Sequence, residues 1–330
     1  MSMKTCIIGA GAIGGLIGIR LAQAGCDVSV LARGATADAL RAGPWRLATA
    51  DGEIAGSVRV AGDLTALGPQ DLVVIAVKGQ SLPGLAPSLT PLIGPQTIVL
   101  PAMNGVPWWF FHRFGGPLAG MQLDSVDPGR RIAAAIPDKA VVGCVVHATC
   151  SVAEPGLVRH GFGNRLIVGK PDGSPSARLG RLADLLTAAG FEILSSPRIQ
   201  TEIWYKLWGN MTMNPVSALT GATCDRILDD PLVSGFCLSV MAEAAELGRL
   251  IGCPIEQSGE DRNAVTRRLG AFKTSMLQDA EAGKPLETDA LLGAVKEIAG
   301  RLGQATPNLD ALLGLTRLMA DTRGLYPAMD

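Results

Sequence analysis

A glycine-rich turn near the start of the chain constrains its fold more than any other feature. Residues Gly9-Ala10-Gly11-Ala12-Ile13-Gly14 fit the pattern G-x-G-x-x-G, and the run Lys4–Ile8 before them reads as a short buried strand. In such a strand-turn-helix unit, the first glycine allows the tight turn, the second lets a pyrophosphate approach the backbone, and the third lets the helix pack closely. Backbone N–H groups at the helix start, including those of Ala12 and Ile13, then hold the anion. The pattern predicts a Rossmann-type nucleotide site.

A cleavable signal peptide is the alternative interpretation of this segment. Lys4 would be its charged start, residues 5–19 its apolar core, and Ala22-Gln23-Ala24 its cleavage site. Five glycines weaken that core as a helix, and Arg20 lies between it and the cleavage site. We therefore expect the strand-turn-helix unit.

The second predicted strand, Asp27–Ala32, ends on a cation. In a dinucleotide fold the residue after this strand faces the adenosine ribose, and an acidic side chain there would bind a free 2′-hydroxyl. Arg33 instead offers a guanidinium group that suits a 2′-phosphate. The sequence therefore favours NADP over NAD, with a solvated charge at the strand end as the alternative.

Composition excludes several classes of partner. The 330 residues carry 29 Lys and Arg against 30 Asp and Glu, a net charge of −1, which leaves no excess for nucleic acid or an anionic membrane. No apolar run reaches the ~20 residues that span a bilayer. Seven scattered cysteines without a C-x-x-C pair suit a reducing cytoplasm. His147, Cys150 and His160 match no familiar zinc spacing, so we expect no metal.

The order of apolar segments predicts two domains. Buried-strand patterns at 71–77, 97–101 and 140–147 alternate with helical ones, as a parallel sheet requires. Beyond Pro197 the chain reads as helices, at about 199–219, 231–251, 260–282 and 287–302, with a last one after Pro307. The expected architecture is an α/β Rossmann-type domain over residues 1–197, followed by an all-α domain over residues 198–330.

Two loops of the first domain carry polar residues where a parallel sheet places its chemistry, beyond the carboxyl ends of strands. Lys78 follows one predicted strand, and Asn104-Gly105 follows the next. We expect both to face the nicotinamide or the substrate. A solvated lysine and a plain turn are the alternatives.

The first predicted helix of the second domain has a polar face in an apolar setting. Lys206, Asn210 and Asn214 recur every four residues, about 6 Å apart along the axis, among tryptophans, leucines and methionines. Partial burial would lower the pKa of Lys206 toward a value useful for proton transfer, and its ammonium group could stabilise an oxyanion. The alternative is a lysine that reaches solvent beside two structural asparagines.

Taken together, these residues resemble the ketopantoate reductase (2-dehydropantoate 2-reductase) family, nearly from end to end. The resemblance is carried by Gly9 to Gly14, Arg33, Lys78, Asn104-Gly105, the helix Lys206-x-x-x-Asn210-x-x-x-Asn214-Pro215, Ser275-Met276-Leu277-Gln278-Asp279 and Glu287. It implies NADPH-dependent reduction of 2-dehydropantoate to pantoate, in pantothenate biosynthesis. A 3-hydroxyacid dehydrogenase of the same superfamily and a non-catalytic NADP-binding protein remain the alternatives, and a homodimer is possible.

The resemblance also implies roles for single residues. Lys206 would be the general acid, and Glu287 would complete the catalytic site. Asn210, Asn214 and Ser275 would bind the substrate. Lys78 and Asn104 would lie by the nicotinamide and substrate, and Arg33 would select NADPH. Without the family, Glu287 reads equally well as an ordinary acid in the first turn of a helix.

Two segments depart from the family pattern. After Asn104-Gly105, the stretch to about Asp138 is longer than usual and begins with four adjacent aromatic residues, Trp108 to Phe111. These aromatics could cover the active site, bind a second subunit or pack in the core. Residues 220–225 lack the asparagine-containing turn of well-studied members. Both departures bear on the substrate rather than on the reductase chemistry.

Overall fold

The structure, a computed structural model, describes residues 2–326 and divides into two compact units. The first comprises residues 2–103, 112–114 and 129–202, and the second comprises residues 104–111, 115–128 and 203–326. Within this described range, no helix is both long enough and apolar enough to cross a membrane.

The first unit mixes strands and helices. In chain order its elements are β1 (Lys4–Ile8), α1 (Ala12–Gln23), β2 (Asp27–Leu31), α2 (Gly34–Ala42), β3 (Trp45–Thr49), β4 (Gly52–Gly56), β5 (Arg59–Val60), β6 (Leu72–Ile75), α3 (Leu82–Leu89), β7 (Ile98–Pro101), α4 (Arg131–Ala135), β8 (Gly143–His147), β9 (Cys150–Glu154), β10 (Leu157–His160), β11 (Arg165–Gly169), α5 (Ala177–Ala188) and β12 (Glu192–Ser195).

A parallel five-stranded sheet forms the centre of this unit, in the order β5-β2-β1-β6-β7. All four residues of β6 and of β7 are buried, as the apolar runs predict for a parallel sheet. The predicted Rossmann-type architecture is confirmed. The segment that could have been a signal peptide is strand β1, which pairs with β2 and β6, followed by helix α1.

Two smaller sheets complete the unit and were not predicted from the sequence. One has the order β4-β3-β10-β9, and the other has the order β12-β11-β8. Trp45 of β3 packs on α1, where a Cβ atom added to Gly18 would lie 2.8 Å from its ring. The small residues of α1 therefore make room for a tryptophan from the sheet β4-β3-β10-β9.

The second unit is helical. Its elements are α6 (Ile199–Thr220, whose first four residues belong to the first unit), α7 (Cys224–Asp229), α8 (Pro231–Ile251), α9 (Gly259–Arg267), α10 (Ser275–Glu281), a π-helical turn (Asp289–Gly293), α11 (Ala294–Leu302) and α12 (Pro307–Thr322). The predicted α8 is confirmed at both ends. Asp230 caps its N-terminus by accepting from Leu232 and Val233, and Gly252 ends it with a φ of 87°.

The single helix predicted over residues 260–282 is wrong. The structure has two helices there, α9 and α10, separated by residues 268–274. Gly270 takes a φ of 63°, and the Thr274 hydroxyl accepts from the N–H of Leu277 to start α10. A helix cannot continue through a left-handed glycine, so the chain stops and is capped again.

The aromatic segment after Asn104 is part of the core. Trp108, Trp109, Phe110 and Phe111 are each at most 1% exposed, and the Phe110 ring lies 6.1 Å from that of Trp204 on α6. This packing joins residues 104–111 to the helical unit, so the compact units do not divide at one point after residue 197. The interpretation of these aromatics as a lid or subunit contact is not supported for side chains this deeply buried.

Candidate active site

The three glycines of the glycine-rich turn have the surroundings that dinucleotide binding requires. Gly9 has a φ of 105°, and a Cβ atom there would lie 2.8 Å from the carbonyl oxygen of Ala76. A Cβ on Gly14 would collide with the carbonyl of Gly9. Gly11, at the N-terminus of α1, faces open space within 4 Å. The first and third glycines are thus fixed by packing, while the second leaves room for a phosphate.

The start of α1 is suited to an anion. Gly11 is the N-cap, and it supplies no side-chain cap. Backbone N–H groups of the first turn, where Ala12 and Ile13 lie, are therefore the donors that a pyrophosphate would use. The residues present fit a dinucleotide cofactor.

Arg33 and Lys78 follow the two strands that flank β1. The N–H of Gly9 donates to the carbonyl of Leu31 over 3.2 Å, which holds the end of β2 beside the glycine turn. Arg33 comes two residues later, is exposed, and occupies the N-cap position of α2 without a side-chain capping bond. On the other side, the N–H of Ala76 donates to Ile8 over 2.9 Å, and the half-buried Lys78 follows two residues on. Both predicted cofactor residues thus leave the sheet at the strand ends next to the turn.

Lys206 and Asn104 meet in the helical unit, although 102 positions separate them in the chain. The Lys206 Nζ atom donates to the Asn104 Oδ1 atom over 2.9 Å. Both side chains are half-buried. A charge-assisted hydrogen bond of this kind fixes the position of the ammonium group on its long, flexible stem. The structure therefore brings together two predicted site residues that lie in separate segments of the sequence.

The loop after Asn104 is bound to the turn that follows Glu287. The N–H of Val106 donates to the carbonyl of Ala290 over 2.8 Å. Gly105 has a φ of 81°, and a Cβ there would lie 2.5 Å from the same carbonyl oxygen. Only a glycine fits this approach without strain. Ala290 lies in the π-helical turn, a kind of irregularity that is frequent at functional sites.

Glu287 lies two residues before this turn. Its side chain is 8% exposed, and its carbonyl accepts from the N–H of Leu291 over 3.2 Å. The contacts of Gly105 and Val106 with Ala290 thus join the segment that carries Glu287 to the loop whose Asn104 binds Lys206. The roles of Glu287 as catalytic residue and of Asn104 as substrate contact remain predictions.

The three predicted substrate residues differ in exposure. On α6, Asn210 is half-buried, and Asn214 is 6% exposed. Ser275 is exposed and opens α10, where Thr274 rather than Ser275 provides the cap. The regular α6 helix places Lys206, Asn210 and Asn214 on one face, as the spacing predicts. Their contacts with a substrate remain predictions.

An acidic group next to Glu287 was not foreseen from the sequence. The Tyr326 hydroxyl lies 2.9 and 3.0 Å from the two carboxylate oxygens of Asp289 and donates to them. Burial raises the pKa of Asp289, while burial and the neighbouring carboxylate raise the pKa of Tyr326 to about 12. This pair anchors the first residue of the π-helical turn to the end of the described chain. A contact over 37 positions leaves no local sequence signal.

The residues considered for a metal site have other environments. Cys150 and His160 pair across β9 and β10, and His160 Nε2 lies 2.6 Å from the carbonyl oxygen of Gly163. Burial raises the pKa of the Cys150 thiol to about 11. Residues 2–326 contain no group of three His, Cys, Asp or Glu side chains placed to hold a metal ion.

Comparison with known proteins places this geometry in a family. Residues 5–111 match the ketopantoate reductase PanE/ApbA domain, and residues 198–320 match its C-terminal domain. A 2-dehydropantoate 2-reductase of Mesorhizobium japonicum is 42% identical over 325 residues, which are 98% of this chain and 100% of the relative. The chain belongs to the ketopantoate reductase family. It is therefore an oxidoreductase with a Rossmann-type domain followed by a helical region.

Two solved structures extend the comparison. A provisionally named ketopantoate reductase from Ralstonia solanacearum MolK2 is 59% identical, with a TM-score of 0.95 over 99% of this chain and 100% of its own. A D-mandelate dehydrogenase in complex with NADH and anilino(oxo)acetate shares the fold, with a TM-score of 0.84, 20% identity and coverage of 98% and 100%. The ketopantoate reductase fold thus also occurs in a dehydrogenase for another 2-hydroxy acid.

Proposed function

We propose that this member of the family uses NADPH to reduce a 2-oxo acid to a 2-hydroxy acid, and specifically 2-dehydropantoate to pantoate in pantothenate biosynthesis. The observation that carries the proposal is the hydrogen bond of 2.9 Å between Lys206 Nζ and Asn104 Oδ1. It holds an ammonium group on a half-buried helix face, beside the loop bound to the Glu287 segment. A 2-dehydropantoate 2-reductase at 42% identity supports the choice of substrate.

The proposed chemistry follows from charge. The glycine turn, Arg33 and Lys78 would hold NADPH, which would supply the hydride for the C2 carbonyl carbon. The π electron pair of the carbonyl moves to its oxygen, and Lys206 gives that oxygen a proton. The product therefore carries a neutral hydroxyl group on C2. Asn104 holds the ammonium group before the transfer, and Asn210, Asn214 and Ser275 bind other polar atoms of the substrate. Glu287 orients Lys206 or accepts a substrate hydroxyl.

The preference for NADPH rests on Arg33. It is exposed at the end of β2, where a dinucleotide fold holds the adenosine ribose, and it can form a bidentate bond with a 2′-phosphate. Lys78 is assigned to the nicotinamide side of the same cofactor.

The proposal extends to a homodimer in the cytoplasm. Leu315 and Leu318, one turn apart on α12, are 58% and 61% exposed and offer an apolar patch for a contact between copies. All seven cysteines are free, as in a reducing compartment.

Removal of the Lys206 charge tests the proposed mechanism. General acid catalysis typically contributes about 10²- to 10⁴-fold, so Lys206→Ala and the better-packing Lys206→Met should lower kcat by about that factor. NADPH affinity should stay near that of the wild type, because the cofactor phosphates bind the first unit. Stopped-flow reduction of the best 2-oxo acid and fluorescence titration of NADPH measure the two effects.

Lys139→Met, at an exposed lysine of the first unit, is the matched control and should retain wild-type kcat. Retention of more than about a tenth of kcat in either Lys206 variant would show that Lys206 is not the acid. Lys78 would then be the next candidate.

A further inference from the structure

A largely buried arginine on α9 lies against the helix that carries Lys206. The Arg262 guanidinium is 5.7 Å from the ring centroid of Tyr205, and its Nη1 atom donates to the Thr266 hydroxyl over 3.0 Å. A Cβ atom on Gly209 would collide with the guanidinium. A glycine inside a helix costs about 0.5–1 kcal/mol relative to alanine. At position 209 the absence of a side chain leaves room for the Arg262 guanidinium.

The contact points place this guanidinium beside the proposed catalytic face. Tyr205 precedes Lys206, and Gly209 precedes Asn210. At about 100° per residue, Gly209 and Tyr205 lie about 60° and 100° around the helix from Lys206, on the side away from Asn210 and Asn214. The Tyr205 hydroxyl also donates to Gln257 Oε1 over 2.6 Å, which fixes the ring under the guanidinium. Arg262 is therefore held in one position on the flank of α6 next to Lys206, which separates it from Asn210 around the helix.

The charge of Arg262 is not neutralised by the protein. Among residues 2–326 it forms no ion pair with an aspartate or glutamate, and its buried Nε atom meets no hydrogen-bond acceptor. Burial lowers the pKa of this guanidinium. A largely buried cation without a carboxylate is costly, and an anion that arrives from solution would offset the cost.

We propose that Arg262 binds the carboxylate of the substrate. The inference rests on the proposed function, because a 2-oxo acid carries a carboxylate on the carbon next to its ketone. The planar guanidinium matches a carboxylate in a bidentate geometry, whereas an ammonium group acts as a single charge. Two cations, Lys206 on α6 and Arg262 beside it on α9, then have separate tasks. Arg262 holds the carboxylate, and Lys206 protonates the oxygen on the adjacent carbon.

Three variants of the full-length protein test this assignment. Arg262→Met removes the charge with a side chain that can still pack against Tyr205, and Arg262→Lys keeps the charge but loses the planar fork. Arg268→Met, at an exposed residue that ends α9, is the matched control. For each, KM and kcat are measured on the best 2-oxo acid, together with inhibition by oxalate, which keeps a carboxylate but accepts no hydride. Melting temperature and NADPH affinity report on folding.

Arg262→Met should raise KM and the oxalate inhibition constant about ten- to hundredfold, while kcat changes by less than about threefold, because the carboxylate is bound equally before and during hydride transfer. Arg262→Lys should lie between it and the wild type, and Arg268→Met should match the wild type. An Arg262→Met variant with KM and oxalate inhibition within about threefold of wild type would overturn the assignment. So would a loss of kcat, KM and NADPH affinity in parallel with melting temperature, which indicates a packing role.

If Arg262→Met does not fold, Arg262→Lys decides in the same way. An increase of its KM at unchanged melting temperature supports the assignment, and an unchanged KM overturns it. If the wild type reduces no 2-oxo acid, the proposed function fails by itself. Calorimetric titration of oxalate into the NADPH-bound wild type and the Arg262→Lys variant then decides whether Arg262 binds a carboxylate.

Discussion

Gly11 and Gly14 are the same residue type three positions apart, yet their surroundings differ. A methyl group on Gly14 would collide with the backbone of Gly9, whereas one on Gly11 would project into open space. Gly11 has a φ of −82° and a ψ of −166°, a conformation that alanine also adopts. The sequence motif predicts a packing role for Gly14 and a cofactor-binding role for Gly11. In the structure, the surroundings of the two glycines differ accordingly.

A pair of substitutions at this turn distinguishes cofactor binding from packing. Gly11→Ala should leave the free energy of unfolding within about 1 kcal/mol of wild type but weaken NADPH binding about tenfold or more, because its methyl group lies where the phosphates approach. Gly14→Ala should lower the free energy of unfolding by about 1–3 kcal/mol, because α1 must move away from β1. Urea unfolding and NADPH fluorescence measure both. Equal NADPH affinity in Gly11→Ala and wild type would refute the cofactor assignment of this turn.

At the scale of single elements, α6 is the helix that the sequence describes best. The four-residue spacing of Lys206, Asn210 and Asn214 predicts a shared face, and the regular helix Ile199–Thr220 provides it. The environment of the aromatic segment could not be predicted in this way. Four adjacent aromatic residues suit a lid, an interface or a core equally well, and only long-range packing, here against Trp204, decides between them.

Replacement of Trp109 tests the core assignment of this segment. Because Trp109 is 1% exposed, Trp109→Ala should lower the free energy of unfolding by about 3–5 kcal/mol and leave the order of preference among 2-oxo acids unchanged. The buried indole N–H of Trp109 has no acceptor within residues 2–326, so Trp109→Phe removes an unsatisfied donor and should cost much less. Urea unfolding and a substrate series provide the two readouts. A changed substrate order at nearly unchanged stability would instead indicate a pocket lining.

For the molecule as a whole, local patterns predict the elements better than their partners. The parallel sheet, the glycine turn and the helical second half follow from periodicity and turn residues. The sheet β4-β3-β10-β9 does not, because it pairs β3 with β10 across more than 100 positions. The contacts of Asn104 with Lys206, of Gly105 with Ala290 and of Arg262 with Gly209 also join distant parts of the sequence. Local patterns therefore cannot predict them. The residue types of the candidate site were thus foreseeable, and its assembly was not.

One measurement tests the central claim of a 2-oxo acid reductase most directly. A panel of 2-oxo acids that includes 2-dehydropantoate is followed by the loss of NADPH or NADH absorbance, and a panel of 3-hydroxy acids by the gain of absorbance with NADP. The account predicts rapid reduction of 2-dehydropantoate with NADPH, and a kcat/KM at least about tenfold lower with NADH, because the 2′-phosphate contact with Arg33 is lost. Oxidation of a 3-hydroxy acid without reduction of any 2-oxo acid, or cofactor binding without any turnover, would contradict it.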